Sequence, residues 1–427
     1  MSPRKSNKRS GLRLVFLILW WEGAFAVAYE TWIGPTYLSG LAGELGVPVA
    51  WVTVLAMIPW IGAFGQLIGA VMCGYFLSLR KYTLWVAAIA RCLWVLPVLS
   101  AIVLGILQIK YGYIFPKKAW FLLLVAVGCT SALIANASSV AWMSWMKGLV
   151  PSGFQGRFFG GRQRYGMAAL IVANLLGAIW VGWKPGGFFI GYGVVGVFAI
   201  ASAFLSTYLL QKVPDLKSHC KTARVRKDLF RKPFSNPDFC RLLLFWAMFN
   251  GATSIAGPYF PYYFTKELGI SMSAVAFWTM MANLGCLLAS GYWGKYLDRF
   301  IEPSRAVWLV GSIIAVSPLP YVIPSASIIQ MIAPVEFFFN GMAWAGFGLL
   351  MTKLIFNVCP KKENTAYFSL IAAANGLSGA LCSMIGGNIA QWLTPWGGFR
   401  ILWVIAAVAR FGVLVVLVPI VFKPRAR

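Results

Sequence analysis

Charged residues are scarce in this chain of 427 residues. Lys, Arg, Asp and Glu together make up 11% of it, whereas hydrophobic residues make up 60%. Soluble domains carry about 25% charged residues. A soluble core of this size has no room for so much apolar surface, which excludes a cytosolic enzyme, a disulfide scaffold and a disordered chain. The composition therefore predicts an all-α membrane protein that crosses the bilayer many times.

Acidic residues are especially few. The chain has 11 Asp and Glu but 37 Lys and Arg, which gives a net charge of +26. A strongly basic balance raises nucleic acid as a partner, provided that the charges form a patch on a folded aqueous domain. The sequence leaves almost no residues for such a domain. We therefore expect no nucleic-acid partner.

Metal-binding and catalytic residue types are equally sparse. The chain has one histidine, His219, and eight cysteines that form no Cys-x-x-Cys pair. A zinc site needs several converging ligands, and a cysteine in an apolar span behaves as a small hydrophobic residue. Neither a P-loop nor a Ser/His/Asp arrangement is present. The sequence predicts no metal site, no cofactor and no enzymatic activity.

Long apolar runs make up most of the sequence. A helix needs about 20 apolar residues to cross the hydrocarbon. Twelve such spans are predicted, numbered here one to twelve: 14–38, 49–76, 82–106, 119–146, 160–182, 187–211, 241–264, 272–294, 305–324, 328–357, 366–392 and 399–422. The first follows basic residues and contains Ala24-Phe25-Ala26, which resembles a signal peptide with its cleavage site. Because Trp20, Trp21 and Glu22 interrupt that pattern, a retained span is predicted instead.

The basic residues sort to one side of these spans. With a cytoplasmic N-terminus, 29 of the 37 Lys and Arg fall in cytoplasmic segments and six on the opposite side. This bias predicts a multi-pass protein of the plasma (bacterial inner) membrane with both termini in the cytoplasm. The polar stretch 212–240 is predicted as a cytoplasmic linker, either a solvated tether or a segment on the anionic leaflet. It separates an N-terminal half, 1–211 with a tail at 1–13, from a C-terminal half, 241–427.

The two halves repeat each other. Gly34-Pro35 recurs as Gly257-Pro258, and Glu44-Leu45-Gly46 recurs as Glu267-Leu268-Gly269, so both motifs recur at one constant offset without a gap. Parallel repeats of six spans are the mark of a transporter whose substrate site lies near the bilayer midplane. The Gly-Pro pairs are either gating bends or simple helix ends, since proline removes a backbone donor.

One loop carries a specific family resemblance. Between spans eight and nine, a glycine pair precedes Asp-Arg and a further basic residue, namely Gly291, Gly294, Asp298, Arg299 and Arg305. This pattern resembles the loop signature of the major facilitator superfamily. The loop after span four, with Pro151, Arg157 and Arg162, resembles a bacterial group of that superfamily without an agreed substrate. The loop between spans two and three keeps glycines and basic charge but lacks the Asp.

The resemblance implies twelve helices in two pseudo-symmetric halves of six. It also implies that the loop after span eight latches helices in one conformation. Spans one, four, seven and ten are implied to line the cavity, and three acidic residues lie on them: Glu22, Glu30 and Glu336.

Ionisable side chains inside spans cost about 2.5–3.5 kcal/mol on insertion scales, so each is a functional candidate. Poor solvation favours the neutral form of a carboxyl group, which allows it to load and release a proton. Glu336, Glu22 and Glu30 are therefore predicted as proton-coupling candidates. The alternative for Glu22 is a structural ion pair with Arg91, and Glu30 lies near enough to the outer surface to be hydrated.

Polar and aromatic residues on the cavity spans complete the candidate site. They are Asn136, Ser138, Trp142, Trp145, Asn250, Tyr259, Asn340 and Trp344. Amides and hydroxyls there can bind a polar solute, or they can join helices by hydrogen bonds. Tryptophans can stack on a solute or form interfacial belts.

The sequence thus predicts a secondary transporter that moves a small organic solute by alternating access, coupled to protons as a symporter or antiporter. Its partners are the solute, protons and the lipid bilayer, and a monomer is expected. Two alternatives remain open. The first is a flippase for lipids or other amphiphiles, and the second is a non-transporting assembly factor or receptor that keeps the fold.

Overall fold

A computed structural model describes residues 3–34, 37–38, 49–76, 78–111, 117–182, 187–215, 229–299, 302–360 and 364–421. Glu44 to Gly46 and Pro35 lie outside these ranges, as do residues 216–228 of the linker, so the first-half members of the two repeat motifs are described only at Gly34. The described residues form helices connected by short turns.

Every predicted span contains a long helix. In the first half these are Pro3–Trp32, Val49–Met72, Leu79–Cys92 with Val95–Tyr111, Lys117–Leu149, Gln155–Gly182 and Gly187–Gln211. In the second half they are Pro237–Ser254, Met272–Arg299, Pro303–Val316, Ala326–Val358, Thr365–Trp392 and Phe399–Val421. The twelve-helix prediction is confirmed. The first helix already begins at Pro3, inside the predicted tail.

Ten of these helical segments are long and apolar enough, within the described residues, to cross a membrane. The helix of span two, Val49–Met72, contains a shorter apolar stretch that runs on from Ile61 to Tyr75.

Prolines interrupt two spans of the second half. Span seven ends as an α-helix at Ser254 and continues through the 3₁₀ turn Gly257–Tyr259 and the π-helical turn Tyr263–Glu267. Span nine ends as an α-helix at Val316 and continues through the 3₁₀ turn Leu319–Val322. The Gly257-Pro258 motif therefore lies at a helix break, as expected from the missing backbone donor. Its role in gating remains a prediction.

The chain divides into two compact units. One comprises residues 1–149 and 165–225, and the other comprises 150–164 and 226–427. The start of span five, which includes the loop after span four, thus belongs to the second unit. The boundaries of the two sequence halves, at 211 and 241, remain a prediction.

Close helix packing repeats in both units. A Cβ on Gly62 would lie 2.7 Å from the amide nitrogen of Asn136, on span four. A Cβ on Gly285, the repeat-related position of the second half, would overlap the carbonyl oxygen of Phe338 on span ten. Small residues let helix backbones approach each other in membranes, where lipid offers no hydrophobic drive for association. The glycine contact between spans two and four therefore has a counterpart between spans eight and ten, at the same offset as the sequence motifs.

Replacing Gly285 with Val should lower the free energy of unfolding by about 1–3 kcal/mol, because the added methyls must push span ten away. Thermal denaturation of the purified protein in detergent measures this as a lower melting temperature. Gly348→Val is the matched control, since nothing lies within 4 Å of a Cβ at that helical position. Equal melting temperatures for the two variants would contradict the packing role of Gly285.

Candidate functional site

Glu22 and Arg91 lie in one buried polar cluster of the first unit. Arg91 donates hydrogen bonds to the Ala203 carbonyl oxygen at 3.1 Å, to the Ser206 hydroxyl at 3.0 Å and to Thr207. The Ser206 hydroxyl in turn donates to Glu22 Oε1 at 3.1 Å. Glu22 is only 3% exposed. The predicted pair is thus joined through Ser206, which ties spans one, three and six together.

The second unit contains a counterpart centred on Arg410. This buried guanidinium donates to the Ile314 carbonyl oxygen at 2.8 Å, the Ser317 hydroxyl at 3.1 Å and the Thr253 carbonyl oxygen at 3.2 Å. Ile314 occupies the position that corresponds to Arg91 in the repeat. In each unit one arginine therefore bridges the third and the sixth span. The arginine lies on the third span in the first unit (Arg91) and on the sixth span in the second unit (Arg410).

Glu336 lies on span ten and is directed towards span nine. Its Oε2 accepts a hydrogen bond from the Tyr321 hydroxyl at 2.5 Å, whereas its Oε1 is buried without a hydrogen-bond partner. Asn340 and Trp344 follow at intervals of four, which places all three on one helix face. The side-chain oxygen of Asn340 is also buried and unpartnered. This strip is where the structure brings predicted site residues together.

The remaining predicted cavity residues mostly bind neighbouring helices. Asn250 donates to the Asn375 carbonyl oxygen at 2.8 Å and Tyr259 to the Ser383 carbonyl oxygen at 2.6 Å, both on span eleven. Asn136 accepts from Gln66 of span two at 3.2 Å. Such bonds match the alternative that these groups join helices.

Ser138, Trp142, Trp145 and Glu30 differ in their surroundings. Ser138 donates to the Ala135 carbonyl oxygen of its own helix at 2.7 Å. Trp145 is fully buried and donates to the Pro214 carbonyl oxygen at 3.2 Å. Trp142 is half-buried, and Glu30 is exposed. Trp145 therefore fixes the segment after span six, a structural contact that its position in the sequence does not reveal.

The loop after span eight surrounds the start of span five. Asp298 Oδ1 accepts from the Gly156 backbone N–H, and Oδ2 accepts from that of Arg157, both at 2.8 Å. These N–H groups lie in the first turn of the helix Gln155–Gly182, where unpaired donors and the helix dipole attract an anion. Lys353 Nζ lies 3.9 Å from Asp298 Oδ1, and the carboxyl side chain is 3% exposed. Asp298 of the predicted latch loop is thus in contact with the backbone of Arg157, a residue of the loop after span four.

The other residues of the two loops surround this contact. A Cβ on Gly294 would overlap the Gly156 carbonyl oxygen, and one on Gly291 would lie 3.8 Å from Arg164. Arg305 pairs with Glu302 at 2.5 Å on the surface. Arg299 ends the helix of span eight. The role of Lys353 has no signal in the sequence, since it lies within span ten and far from either loop.

Pro151, Arg157 and Arg162 occupy three different settings in the loop after span four. Pro151 precedes the 3₁₀ turn Ser152–Phe154. The Arg157 side chain lies over the Phe154 ring, 5.7 Å from its centroid. Arg162 is half-buried in the helix of span five.

The loop between spans two and three obtains an acidic group from elsewhere. Ser78 caps the helix of span three by accepting from the Lys81 N–H at 3.1 Å, and its hydroxyl donates to Asp215 Oδ2 at 2.7 Å. Arg80 donates to the Gln211 carbonyl oxygen. The missing Asp of the first-half loop is therefore matched by a carboxylate from the segment after span six. Nothing in the sequence indicates this contact, because Asp215 lies far along the chain from Ser78.

The chain belongs to the Major Facilitator Superfamily, whose sequence model matches residues 20–381 and 247–427. Its fold is that of a transporter, and it is a multi-pass integral membrane protein. No curated protein matches the chain. Within the described residues no group of three or more His, Cys, Asp and Glu side chains could hold a metal ion.

Several solved structures share the fold. A bacterial homologue of the iron transporter ferroportin, outward-facing with soaked iron, has a TM-score of 0.71 at 15% identity and covers 96% of this chain and 99% of its own. The proton:xylose symporter XylE bound to 6-bromo-6-deoxy-D-glucose has a TM-score of 0.67 at 15% identity, with 95% of both chains covered. The human organic anion transporter MFSD10 has a TM-score of 0.68 at 12% identity and covers 95% of this chain and 99% of its own.

Removing the charge of Asp298 with Asp298→Asn should lower the free energy of unfolding by about 1–2 kcal/mol, because the first turn of span five loses its anion. Differential scanning fluorimetry of the purified protein measures the effect. Glu302→Gln removes an exposed charge from the same loop and should change stability by less than about 0.5 kcal/mol. The account of the loop is wrong if Glu302→Gln is the more damaging change.

Proposed function

We propose that the protein is a proton-coupled secondary transporter of a small organic solute, with Glu336 as its proton-carrying group. It works by alternating access in the plasma (bacterial inner) membrane, as a monomer with both termini in the cytoplasm. The observation that carries the proposal is the unequal pairing of the two Glu336 oxygens. One accepts from Tyr321, and the other is buried without a donor.

A buried carboxylate oxygen without a donor is costly, whereas the protonated oxygen is neutral. The charged and titratable groups around Glu336 are Tyr321 and Arg410. Tyr321 donates to the carboxyl, while Arg410 gives its hydrogen bonds to Ile314, Ser317 and Thr253. Protonation of Glu336 would remove the charge that is costly to bury at the second oxygen.

Glu22 and Glu30 are weaker candidates than Glu336. Glu22 accepts from Ser206, next to Arg91, so its charge is compensated within a structural cluster. Glu30 is exposed. The solute is best sought among molecules that offer polar groups to Asn340 and an apolar or ring surface to Trp344, both on the helix face of Glu336.

The test begins with a thermal-shift screen over sugars, amino acids, nucleotides, organic acids, siderophores and lipids. The stabilising solute is then used in proteoliposomes with and without a pH gradient. Glu336→Gln should abolish gradient-driven accumulation while exchange of labelled for unlabelled solute continues, because only the proton step is removed. Glu302→Gln, an exposed surface change, should retain both activities.

Glu22→Gln and Glu30→Gln complete the series. Accumulation that persists in Glu336→Gln would overturn the proposed role of Glu336, and accumulation that persists in all three membrane variants would overturn coupling by these carboxyl groups altogether. Movement of a labelled lipid between leaflets, with no uptake of any solute, would favour the flippase alternative. Binding without any movement would favour a non-transporting component.

A further inference from the structure

Tyr321 is a buried tyrosine at the end of span nine. It lies in the 3₁₀ turn Leu319–Val322, and its side chain is 1% exposed. Two rings of span seven meet it edge to face, with centroid distances of 5.4 Å for Phe260 and 5.0 Å for Phe264. A ring packed between neighbouring rings is held in one orientation, because protein interiors are close-packed. The packing therefore fixes the position of the Tyr321 hydroxyl.

A second tyrosine holds the backbone of this turn. The Tyr263 hydroxyl donates to the Tyr321 carbonyl oxygen at 3.0 Å, and Tyr263 is itself 3% exposed. Tyr263 begins the π-helical turn Tyr263–Glu267 of span seven, beyond the break at Gly257. The hydrogen bond thus joins the interrupted end of span seven to the interrupted end of span nine.

The Tyr321 hydroxyl is directed at Glu336. It donates to Oε2 at 2.5 Å, whereas Oε1 is buried without a hydrogen-bond partner. The carboxyl also borders a pocket of about 340 Å³ between spans nine and ten, which is lined mainly by apolar side chains. Its other lining residues are Ser312, Ile313, Val316, Ser317, Pro320 and Phe339. In surroundings this poor in donors, a hydrogen bond to the carboxylate carries much weight.

Two further groups act on this carboxyl. Asn340 lies one turn further along span ten, and Arg410 lies on span twelve. Arg410 directs its hydrogen bonds to oxygens of spans seven and nine rather than to the carboxyl. Neither group contacts the Tyr321 hydroxyl in the hydrogen bonds described, so the effect of this hydroxyl can be tested by itself.

We propose that Tyr321 sets the pH at which Glu336 takes up its proton, and that Tyr263 holds Tyr321 in position. A donated hydrogen bond favours the charged form of a carboxyl group, so its loss raises the pH of proton uptake. A movement of span seven that withdraws Tyr263 would therefore favour protonation. This role rests on the proposed function, since it requires that Glu336 exchanges a proton.

The test is a pH titration of the full-length protein in liposomes by infrared difference spectroscopy. The carbonyl stretch of protonated carboxyl groups is the signal, and the band that Glu336→Gln removes belongs to Glu336. Tyr321→Phe keeps the packed ring and should move the midpoint of that band to higher pH by about one to two units, the value of a hydrogen bond to a charged group. Tyr263→Phe should move it in the same direction by less, because Tyr321 keeps its hydroxyl.

Tyr82→Phe is the matched control. Tyr82 is 2% exposed and packs against Ala141 in the first unit, so this variant also removes a phenol hydroxyl from a buried ring. Its midpoint should equal that of the unmodified protein. A shift as large as that of Tyr321→Phe would show a general effect of losing a buried hydroxyl and would overturn the role of Tyr321.

The remaining outcomes separate this role from the proposed function. If Glu336→Gln removes a band whose midpoint Tyr321→Phe leaves unchanged or lowers, the role of Tyr321 is wrong and the proton role of Glu336 stands. An unchanged midpoint in Tyr263→Phe would overturn the holding role of Tyr263. If Glu336→Gln removes no band, the proposed function fails, and the role of Tyr321 fails with it.

Discussion

A charge inside a bilayer must find a partner, and this constraint organises both units of the protein. An unpaired ionisable group there costs about 2.5–3.5 kcal/mol on insertion scales. Arg91 and Arg410 meet the constraint with carbonyl and hydroxyl oxygens of neighbouring spans. Glu22 meets it through Ser206. Glu336 meets it with only one of its oxygens, and Arg410 keeps a buried Nε without a hydrogen-bond partner.

Unpaired backbone groups at the helix ends also need hydrogen-bond partners. The first turn of span five has free N–H groups, and Asp298 from the loop after span eight satisfies two of them. In the first unit, Asp215 approaches the start of span three through Ser78. Both loops thus have a carboxylate near a helix N-terminus, but the carboxylate comes from a different part of the chain in each case. The Asp that one repeat lacks is matched by a residue that lies far away along the chain.

The architecture was largely predictable, because span length and the alternation of apolar runs with basic loops depend on local sequence. The constant offset of the repeat even matches Gly62 with Gly285. The hydrogen-bond partners of individual polar groups were not predictable from the sequence. Asn250, Tyr259 and Asn136 form hydrogen bonds with neighbouring helices, whereas the sequence predicted them as residues of a substrate cavity. Sequence alone places Glu336 on span ten. It does not show that Tyr321 and a pocket between spans nine and ten surround it.

The central claim is that Glu336 exchanges a proton within the membrane. Infrared difference spectroscopy of the protein in liposomes, between acidic and alkaline buffer, observes this directly through the carbonyl stretch of a protonated carboxyl group. The account predicts a band in the unmodified protein that appears on acidification, persists in Glu22→Gln and Glu30→Gln, and is missing in Glu336→Gln. A spectrum in which Glu336→Gln leaves every carboxyl band unchanged would contradict it.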